Sequence, residues 1–281
     1  MRVAIVGANG QVGEQLVRAY SDSEVIPLTR AECDLTDRES LRASLNAAKP
    51  DLIVIAAAFT DVDGAETNEK LAFAVNALAP RWIAAESRHL NAAVVYISTD
   101  FIFSGDSVHP YDEWSSPSPR SIYGRSKLAG EMEIKDHAER WWIVRTSWVY
   151  GGPGRNFVNS IRRAAARGGP LTVVEDEVGN PTLAMDLANG MRQLTDCDSP
   201  GTYHLSNTGE CSRLEFARAI VELSGTSVRV DPITSAKYAE KNPHVANRPA
   251  HSALANNAAA ALGVSLRPWR DALAEHLCGH Q

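Results

Sequence analysis

Cysteine and histidine are sparse and form no metal-binding pattern. The 281 residues include four cysteines, Cys33, Cys197, Cys211 and Cys278, with no Cys-x-x-Cys pair, and eight histidines with no His-Glu-x-x-His motif. The usual zinc motifs are therefore excluded, and we expect no metal site on this basis. Scattered cysteines also give no disulfide framework, so we expect them to be reduced in a cytoplasmic protein.

Long apolar runs and basic stripes are absent as well. No run approaches the roughly 20 apolar residues that span a bilayer, so we expect no membrane partner. The sequence opens directly on a strand pattern at residues 2–6, which predicts no signal peptide. A formal net charge of −6 argues against a nucleic-acid partner. The one basic stretch, residues 161–167, has arginines at helical spacing and is interpreted as a solvated helix face.

Apolar runs alternate with helical patterns along the first half of the chain. The strand patterns are continuous rather than alternating, which is typical of a parallel sheet covered on both faces. This order predicts an α/β fold with a Rossmann-type doubly wound parallel sheet. A helix pattern over residues 71–90 contains Pro80, which should kink or divide it. The five strand patterns lie at residues 2–7, 24–29, 51–58, 92–99 and 141–151.

Three glycines follow the first strand. Gly7, Gly10 and Gly13 stand at Gly-x-x-Gly-x-x-Gly spacing where the strand turns into the first helix. Gly7 permits a tight turn, Gly10 lets the backbone approach a pyrophosphate, and Gly13 lets the helix pack closely on the sheet. The start of the helix then offers N–H groups to phosphates. A plain tight turn without a ligand is the alternative reading.

The end of the second strand bears on the choice of dinucleotide. An acidic residue there binds the ribose hydroxyl of NAD, whereas an arginine suits the 2′-phosphate of NADP. Arg30 occupies this place, with Glu32 two residues further on, so we expect NADPH, with NADH left open and a surface arginine as the alternative. Asp34, followed by Leu35, is expected to bind the adenine amino group. The alternative role of Asp34, a helix N-cap, fits Thr36 or Asp37 better.

Tyr123 and Lys127 are four residues apart at the start of a predicted helix, so their side chains share one helix face. Reduction of a ketone needs a hydride on carbon and a proton on oxygen. A nicotinamide supplies the hydride, and a phenol whose pKa is lowered by a nearby ammonium group can handle the proton. Thr99, at the end of the fourth strand, can orient the carbonyl. Taken alone, Thr99 reads as a strand-end turn residue.

Beyond Tyr150 the pattern loosens into short strands and helices. Segments 202–207 and 212–225 look like further Rossmann material. We therefore predict an NADP(H)-binding Rossmann domain of residues 1–150 plus roughly 183–225. Residues 151–182 and 226–281 are predicted to form a smaller C-terminal substrate-binding cap.

The sequence resembles the extended short-chain dehydrogenase/reductases, and within them the dTDP-4-dehydrorhamnose reductase family. The early matching stretches are general to the fold, whereas "FTDVDGAE", "RTSWVYG" and "GNPT" are more specific to this group. The resemblance covers nearly the whole chain and includes "GANGQVG", "CDLTD", "AVNALAP", "STDFIFSG", "PYDEW", "YGRSKLAGE", "NFV", "YHLSNTGECS", "RPAHSAL" and the late Trp269.

The resemblance implies site residues by position. Thr99, Tyr123 and Lys127 correspond to the catalytic trio, and they also contact substrate or cofactor. The cofactor is expected to be lined by Asn9, Gly10, Gln11, Val12, Ala56, Ala57, Ala58 and Thr60. The substrate is expected to be faced by Asp100, Trp148, Asn156 and Arg248. For Trp148 the alternative is a core position at a domain seam.

The resemblance also implies the reaction, which is NADPH-dependent reduction of the C4 ketone of dTDP-4-dehydro-β-L-rhamnose to dTDP-β-L-rhamnose. Mg²⁺ and a homodimer are associated with the family. Phe59 stands where tyrosine is usual and Glu177 where glutamine is common, and these departures leave the exact sugar open. The alternatives are a reductase of another dTDP-4-keto-6-deoxysugar, a sugar-nucleotide epimerase, and a non-catalytic regulatory subunit of the same fold.

Overall fold

The computed structural model describes residues 1–152 and 154–278, which form a large parallel sheet with helices on both faces and a smaller set of short strands and helices. The strands are β1 Arg2–Val6, β2 Glu24–Leu28, β3 Leu52–Ile55, β4 Ala93–Thr99, β5 Trp141–Thr146, β6 Val149–Tyr150, β7 Leu171–Val174, β8 Val178–Gly179, β9 Thr182–Leu183, β10 Gly201–His204, β11 Cys211–Ser212 and β12 Val230–Ile233.

The helices cover both faces of this sheet and fill the smaller part. They are α1 Gly13–Ala19, α2 Arg38–Ala48, α3 Val62–Thr67, α4 Glu69–Phe73, α5 Ala79–Leu90, α6 Ile122–His137, α7 Phe157–Ala166, α8 Ala184–Asp196, α9 Arg213–Leu223, α10 Ser235–Lys241, α11 Asn257–Ala261 and α12 Trp269–Cys278.

Six parallel strands make the main sheet in the order β10-β5-β4-β3-β1-β2. The chain leaves β1 for β2 on one side and then crosses to β3 on the other side. This reversal opens a crevice at the carboxyl ends of β1 and β3, where doubly wound folds bind ligands. The predicted Rossmann-type sheet is confirmed, and its crevice lies at the carboxyl ends of β1 and β3.

Alternate residues of β1 pack into two separate hydrophobic cores, one on each face of the sheet. Val3 and Ile5 pack with α1 and α8 on one face, whereas Ala4 and Val6 pack with α2 and α5 on the other. All four side chains are essentially inaccessible to solvent. Such two-sided burial requires an unbroken apolar run, which explains why the strands show no polar alternation.

The predicted division of the helix at Pro80 is confirmed. Helix α4 ends at Phe73, a π-helical turn spans Ala74–Leu78, and α5 begins at Ala79 with Pro80 in its first turn. Proline is tolerated there because an N–H in the first turn has no intrahelical partner. The π turn has a further effect, since it carries Asn76, whose side chain reaches the candidate site.

A third core lies outside the two faces of the sheet. Helices α7, α9 and α12 pack there with β7 and β12 around Phe216, Ile220 and Leu273. Helix α9 was expected to be Rossmann material, but it packs in this third core because its apolar face meets α7 and β12. Helix α8, which the sequence pattern had not indicated, packs on α1 instead. The exact domain boundaries stay a prediction.

Neither a metal-binding cluster nor a membrane-spanning helix is found in the part of the chain that the structure describes. Within residues 1–152 and 154–278, no cluster of three or more His, Cys, Asp or Glu side chains could hold a metal ion, and all four cysteines are unpaired. Over the same ranges, no helix combines the length and apolar character needed to cross a bilayer.

Candidate active site

A cleft of about 740 Å³ lies at the carboxyl ends of β1, β3, β4 and β5. Its walls include every residue expected at the site except Gly13. The expected residues on its walls are Gly7, Asn9, Gly10, Gln11, Val12, Arg30, Asp34, Leu35, Ala56, Ala57, Ala58, Thr60, Thr99, Asp100, Tyr123, Lys127, Trp148, Asn156 and Arg248. Residues from seven separate parts of the chain therefore meet in one place.

The glycine turn is closely packed. Gly7 has a φ of 86°, and a Cβ there would lie 2.7 Å from the backbone nitrogen of Ala57. A Cβ on Gly13 would lie 2.1 Å from the Gly7 carbonyl oxygen, so Gly13 acts behind the cleft by letting α1 approach the turn. Helix α1 has Val12 at its N-cap and no side-chain cap. The turn and the start of α1 therefore fit the pyrophosphate of a dinucleotide.

Arg30 lies at the end of the cleft that follows β2, and its charged side chain is largely exposed to solvent. The Arg30 side chain is 84% exposed, and its Nε lies 3.8 Å from an Asp34 carboxylate oxygen. The Glu32 carboxylate turns back to accept a hydrogen bond from the Thr29 backbone N–H at 2.9 Å, and Glu32 does not line the cleft. Arg30, and not Glu32, thus lines this end of the cleft, which fits a 2′-phosphate.

Asp34 is held beside Arg30 by Thr36. Its carboxylate accepts hydrogen bonds from the Thr36 backbone N–H at 2.8 Å and from the Thr36 hydroxyl at 2.7 Å. These bonds, with a smaller contribution from Arg30, lower the pKa of Asp34, so it is a fixed acceptor at neutral pH. Asp37, not Asp34, caps α2.

The loop after β3 is fixed by the π turn. Asn76 accepts a hydrogen bond from the Phe59 N–H at 2.8 Å and donates to the Phe59 carbonyl at 3.1 Å. Its amide also donates to Ser126 on α6 at 3.0 Å. The side chain of Phe59 packs against Ile122 and near Tyr123. Asn76 therefore sets the distance between the loop 56–60 and the helix that carries Tyr123 and Lys127.

Tyr123 and Lys127 lie on the cleft-facing side of α6, which Ser121 caps through the Gly124 N–H. The Lys127 ammonium donates to the Ile97 carbonyl at 2.6 Å and lies 3.9 Å from the centre of the Tyr96 ring. Burial lowers the pKa of Lys127 to about 7, although the negative charge of Glu131 opposes this shift. Lys127 is therefore held at the back of the cleft by the Ile97 carbonyl, and the negative charge of Glu131 only partly offsets the effect of burial on its ammonium group.

The pKa of Tyr123 moves in the opposite direction to the one expected. Burial raises it to about 12, the hydrogen bond with Thr99 lowers it, and the charge of Asp100 raises it again. Lys127, whose ammonium is bound to Ile97, is not among these causes, so the expected acidification of the phenol by Lys127 is not found in this structure. Tyr123 consequently keeps its proton at neutral pH and is set up as an O–H donor.

Asp100 is buried next to Thr99. One carboxylate oxygen accepts from the Thr99 hydroxyl at 3.0 Å and the other from the Ser252 hydroxyl at 2.5 Å. Burial raises the pKa of Asp100 to about 6 despite these bonds and the positive charge of Arg213. Asp100 lines the cleft, as expected for a substrate-facing residue, but both of its oxygens are engaged by protein hydroxyls.

A buried ion pair stands behind Lys127. Arg145 on β5 donates to both oxygens of Glu131 on α6, at 2.9 and 2.8 Å, and Ser98 donates to the same carboxylate at 2.6 Å. Both charged side chains are less than 5% exposed. The ion pair joins α6 to β5, one helical turn beyond Lys127.

Trp148 interrupts the strand predicted over residues 141–151. Its φ is 46°, so β5 ends at Thr146 and the short β6 starts at Val149. The guanidinium carbon of Arg213 lies 3.5 Å from the centre of an indole ring, and Gly179 leaves no room for a side chain against the ring edge. Trp148 is thus held at the cleft wall in a conformation that costs backbone strain.

Two arginines on the cleft wall were not anticipated. Arg213 and Arg155 both line it, and the Arg213 guanidinium lies 3.6 Å from Glu177, one of the residues that departs from the family pattern. Burial lowers the pKa of Arg213 to about 10. The signals were slight, namely an arginine straight after Ser212 and one within a glycine-rich break. Arg248 pairs with both oxygens of Asp63 at 2.8 and 2.9 Å.

A Rossmann sheet, a glycine turn and a buried Tyr-x-x-x-Lys pair in one cleft define an α/β protein of the extended short-chain dehydrogenase/reductase type. The family assignment is more specific. A family model described as "RmlD substrate binding domain" matches residues 1–280, and the chain belongs to this family.

Relatives extend over the same length. The chain is 40% identical to the spore coat polysaccharide biosynthesis protein SpsK of Bacillus subtilis, covering 98% of this chain and 96% of that protein. It is 38% identical to dTDP-4-dehydrorhamnose reductase of Mycobacterium tuberculosis H37Rv, covering 98% and 92% respectively.

A solved structure has the same fold over its whole length. The crystal structure of dTDP-4-dehydrorhamnose reductase from Bacillus anthracis in complex with NADP matches with a TM-score of 0.94 at 36% identity, covering 100% of this chain and 99% of that one.

Proposed function

We propose that the chain is an NADPH-dependent oxidoreductase that reduces the C4 ketone of dTDP-4-dehydro-β-L-rhamnose to dTDP-β-L-rhamnose, the last step of dTDP-rhamnose synthesis. The family and the names of its relatives support this reaction. The observation that carries it is the position of Tyr123 and Lys127 on one face of α6, beside Thr99, in the cleft that begins at the glycine turn.

The dinucleotide would be held at the glycine turn, with Arg30 at the 2′-phosphate and Asp34 at the adenine. Bound NADPH would supply the hydride for the carbonyl carbon. Two features support this placement of the dinucleotide. The chain packs so closely at Gly7 and Gly13 that no side chain would fit there, and no side chain caps the N-terminus of α1. No metal is included in the proposal, because the described ranges contain no carboxylate cluster for Mg²⁺.

The side chains of the trio would then divide the remaining work. Tyr123 keeps its proton at neutral pH and donates it to the carbonyl oxygen as negative charge develops there. Thr99, whose hydroxyl donates to Asp100 in this structure, would turn to donate a second hydrogen bond to the carbonyl oxygen and so fix its orientation. Lys127 lies one helical turn from Tyr123 on the same face of α6, and its ammonium charge would stabilise the phenolate once the proton has left. Burial strengthens each of these interactions because water is excluded.

A second substrate is favoured by one relative. The chain is 38% identical to the probable dTDP-4,6-dihydroxy-2-methyloxan-3-one 4-ketoreductase of Streptomyces antibioticus, covering 98% of this chain and 94% of that protein. A reductase of another dTDP-4-keto sugar would use the same trio and differ at the sugar-facing wall. Cytoplasmic location and a homodimer stay part of the proposal.

The test is an assay at the nicotinamide absorbance band with a panel of dTDP-4-keto sugars, each offered with NADPH and with NADH. We expect the fastest cofactor consumption with dTDP-4-dehydro-β-L-rhamnose and NADPH. Turnover without net consumption would instead indicate an epimerase. NADPH binding without any turnover of the panel would indicate a regulatory subunit.

The proton donor is tested by Tyr123→Phe. Loss of general acid catalysis should reduce turnover about 10²–10⁴-fold, while NADPH binding, followed by its fluorescence, should stay close to that of the unmodified protein. Tyr238→Phe is the matched control, because Tyr238 lies on α10 outside the cleft and is 38% exposed. Near-normal turnover by Tyr123→Phe would refute the assignment.

A further inference from the structure

The side chain of Gln11, which lines the cleft, connects the glycine turn to a second wall of the cleft. Gln11 belongs to the glycine turn between β1 and α1. Its amide nitrogen donates to the Val149 carbonyl at 3.0 Å, and its amide oxygen accepts from the side-chain nitrogen of Asn156 at 2.9 Å. These partners are 138 and 145 positions away along the chain. Both polar groups of the amide are therefore bound to the opposite wall.

Asn156 transmits this contact to α7. Its side-chain oxygen caps the helix by accepting from the Asn159 N–H at 2.9 Å, while its side-chain nitrogen serves Gln11 and also the Gly152 carbonyl at 3.2 Å. The side chain of Asn156 thus caps α7 and binds Gln11 of the glycine turn at the same time. Helix α7 in turn inserts Val158 and Ile161 into the third core.

The contact is also close-packed. A Cβ on Gly152 would lie 2.7 Å from the Cγ of Gln11 and 2.9 Å from its Cα. Val149, Gly152 and Asn156, which follow Trp148 in the chain, therefore all contact Gln11 of the glycine turn. A shift of the turn must move this segment or break the two hydrogen bonds.

We propose that the Gln11 side chain is a positioning group that couples the dinucleotide site to the nucleotide-sugar site. This inference rests on the proposed function. A dinucleotide bound on the backbone of the glycine turn would fix this turn, and the turn would fix Val149 and Asn156 through Gln11. Both Val149 and Asn156 line the cleft in which the substrate is expected. Each ligand then binds a cleft that the other has already ordered, so the two bind with positive coupling.

The experiment measures that coupling directly. NADPH is titrated by fluorescence against the full chain, with and without saturating dTDP as the probe for the nucleotide-sugar site. We expect the unmodified protein to bind NADPH about fivefold more tightly when dTDP is present. By reciprocity, NADPH should tighten dTDP binding by the same factor. In Gln11→Ala the ratio should fall to less than twofold.

A second variant separates the coupling from folding. Asn156→Asp keeps an oxygen that caps α7, but it removes the N–H that Gln11 accepts, so the helix is retained and the coupling ratio should fall as in Gln11→Ala. The double variant should lose no more coupling than either single one. Ser160→Ala is the control and should leave the ratio unchanged, because among the described residues the Ser160 hydroxyl bonds just the Asn156 carbonyl, at 2.8 Å.

Two results would overturn the inference. One is tight NADPH binding by the unmodified protein with a ratio near one, and the other is an unchanged ratio in both Gln11→Ala and Asn156→Asp. Either result leaves the proposed reductase activity intact. Failure of the unmodified protein to bind NADPH at all would instead overturn the proposed function, and this inference with it.

Discussion

Asp100→Asn should change how stability depends on pH, in a direction fixed by burial. The folded-state pKa of Asp100 is raised from 3.8 to about 6. A raised carboxyl pKa contributes stability at low pH, and this contribution is lost as pH rises through the folded-state value. A shift of about two pKa units corresponds to about 3 kcal/mol in total, of which about 2 kcal/mol is lost between pH 4.5 and 7.5. Asparagine has the same shape, meets the hydroxyls of Thr99 and Ser252, and does not titrate.

The assay is a thermal melt of both proteins across that pH range. The melting temperature of Asp100→Asn minus that of the unmodified protein should rise by about 4–8 °C from pH 4.5 to 7.5, at about 2–4 °C per kcal/mol. Asp112→Asn is the control, because the hydrogen bond from Ser115 lowers the pKa of Asp112 below its ordinary 3.8. Asp112 is therefore ionised throughout this pH range, and its difference in melting temperature should stay flat. A difference that is flat or falls with pH for Asp100→Asn would show that the buried carboxyl does not carry a raised pKa.

Three further outcomes are expected. Glu131→Gln should lower the free energy of unfolding by about 3–5 kcal/mol in a denaturant titration, because it leaves the buried Arg145 without its charge partner; a loss below about 1 kcal/mol would contradict this. Arg30→Ala should weaken NADPH binding by about 10–100-fold, through the loss of one charge-assisted phosphate contact, with little effect on NADH; equal losses would remove the basis for the NADPH preference. Gly13→Ala should cost about 1–3 kcal/mol of stability and weaken both dinucleotides, since its Cβ would meet the Gly7 carbonyl; unchanged stability in a thermal melt would speak against that packing.

The main sheet was predictable because its strands carry their own signal. Two-sided burial demands unbroken apolar runs, and the carboxyl ends of parallel strands meet at one edge, so Gly7 and Thr99 had to lie near each other. Helix α8 was missed although Leu187, Met191 and Leu194 stand at helical spacing, a signal that was present in the sequence. The packing of α9 could not be inferred, because its apolar face fits either the sheet or a separate core.

Side-chain detail at the site depended on contacts between distant segments. No local pattern indicates that Lys127 binds the Ile97 carbonyl, and so the direction of the Tyr123 pKa shift was predicted wrongly from sequence spacing alone. Similarly, Gln11 and Asn156 were assigned to different ligands, while the fold joins them to each other. The residue types at the site were readable from the sequence, whereas their partners required the fold.

The edge of the main sheet formed by β2 affects how the protein behaves at high concentration. Within residues 1–152 and 154–278, strand β2 has a neighbouring strand on the β1 side alone, and it contains Pro27. A residue without an N–H is tolerated on such a strand, and it spoils the template that an open edge offers to another chain. Pro27 therefore acts as a guard against fibrous self-association, and replacing it with valine should make the protein more prone to precipitate during refolding while leaving the reaction cleft untouched.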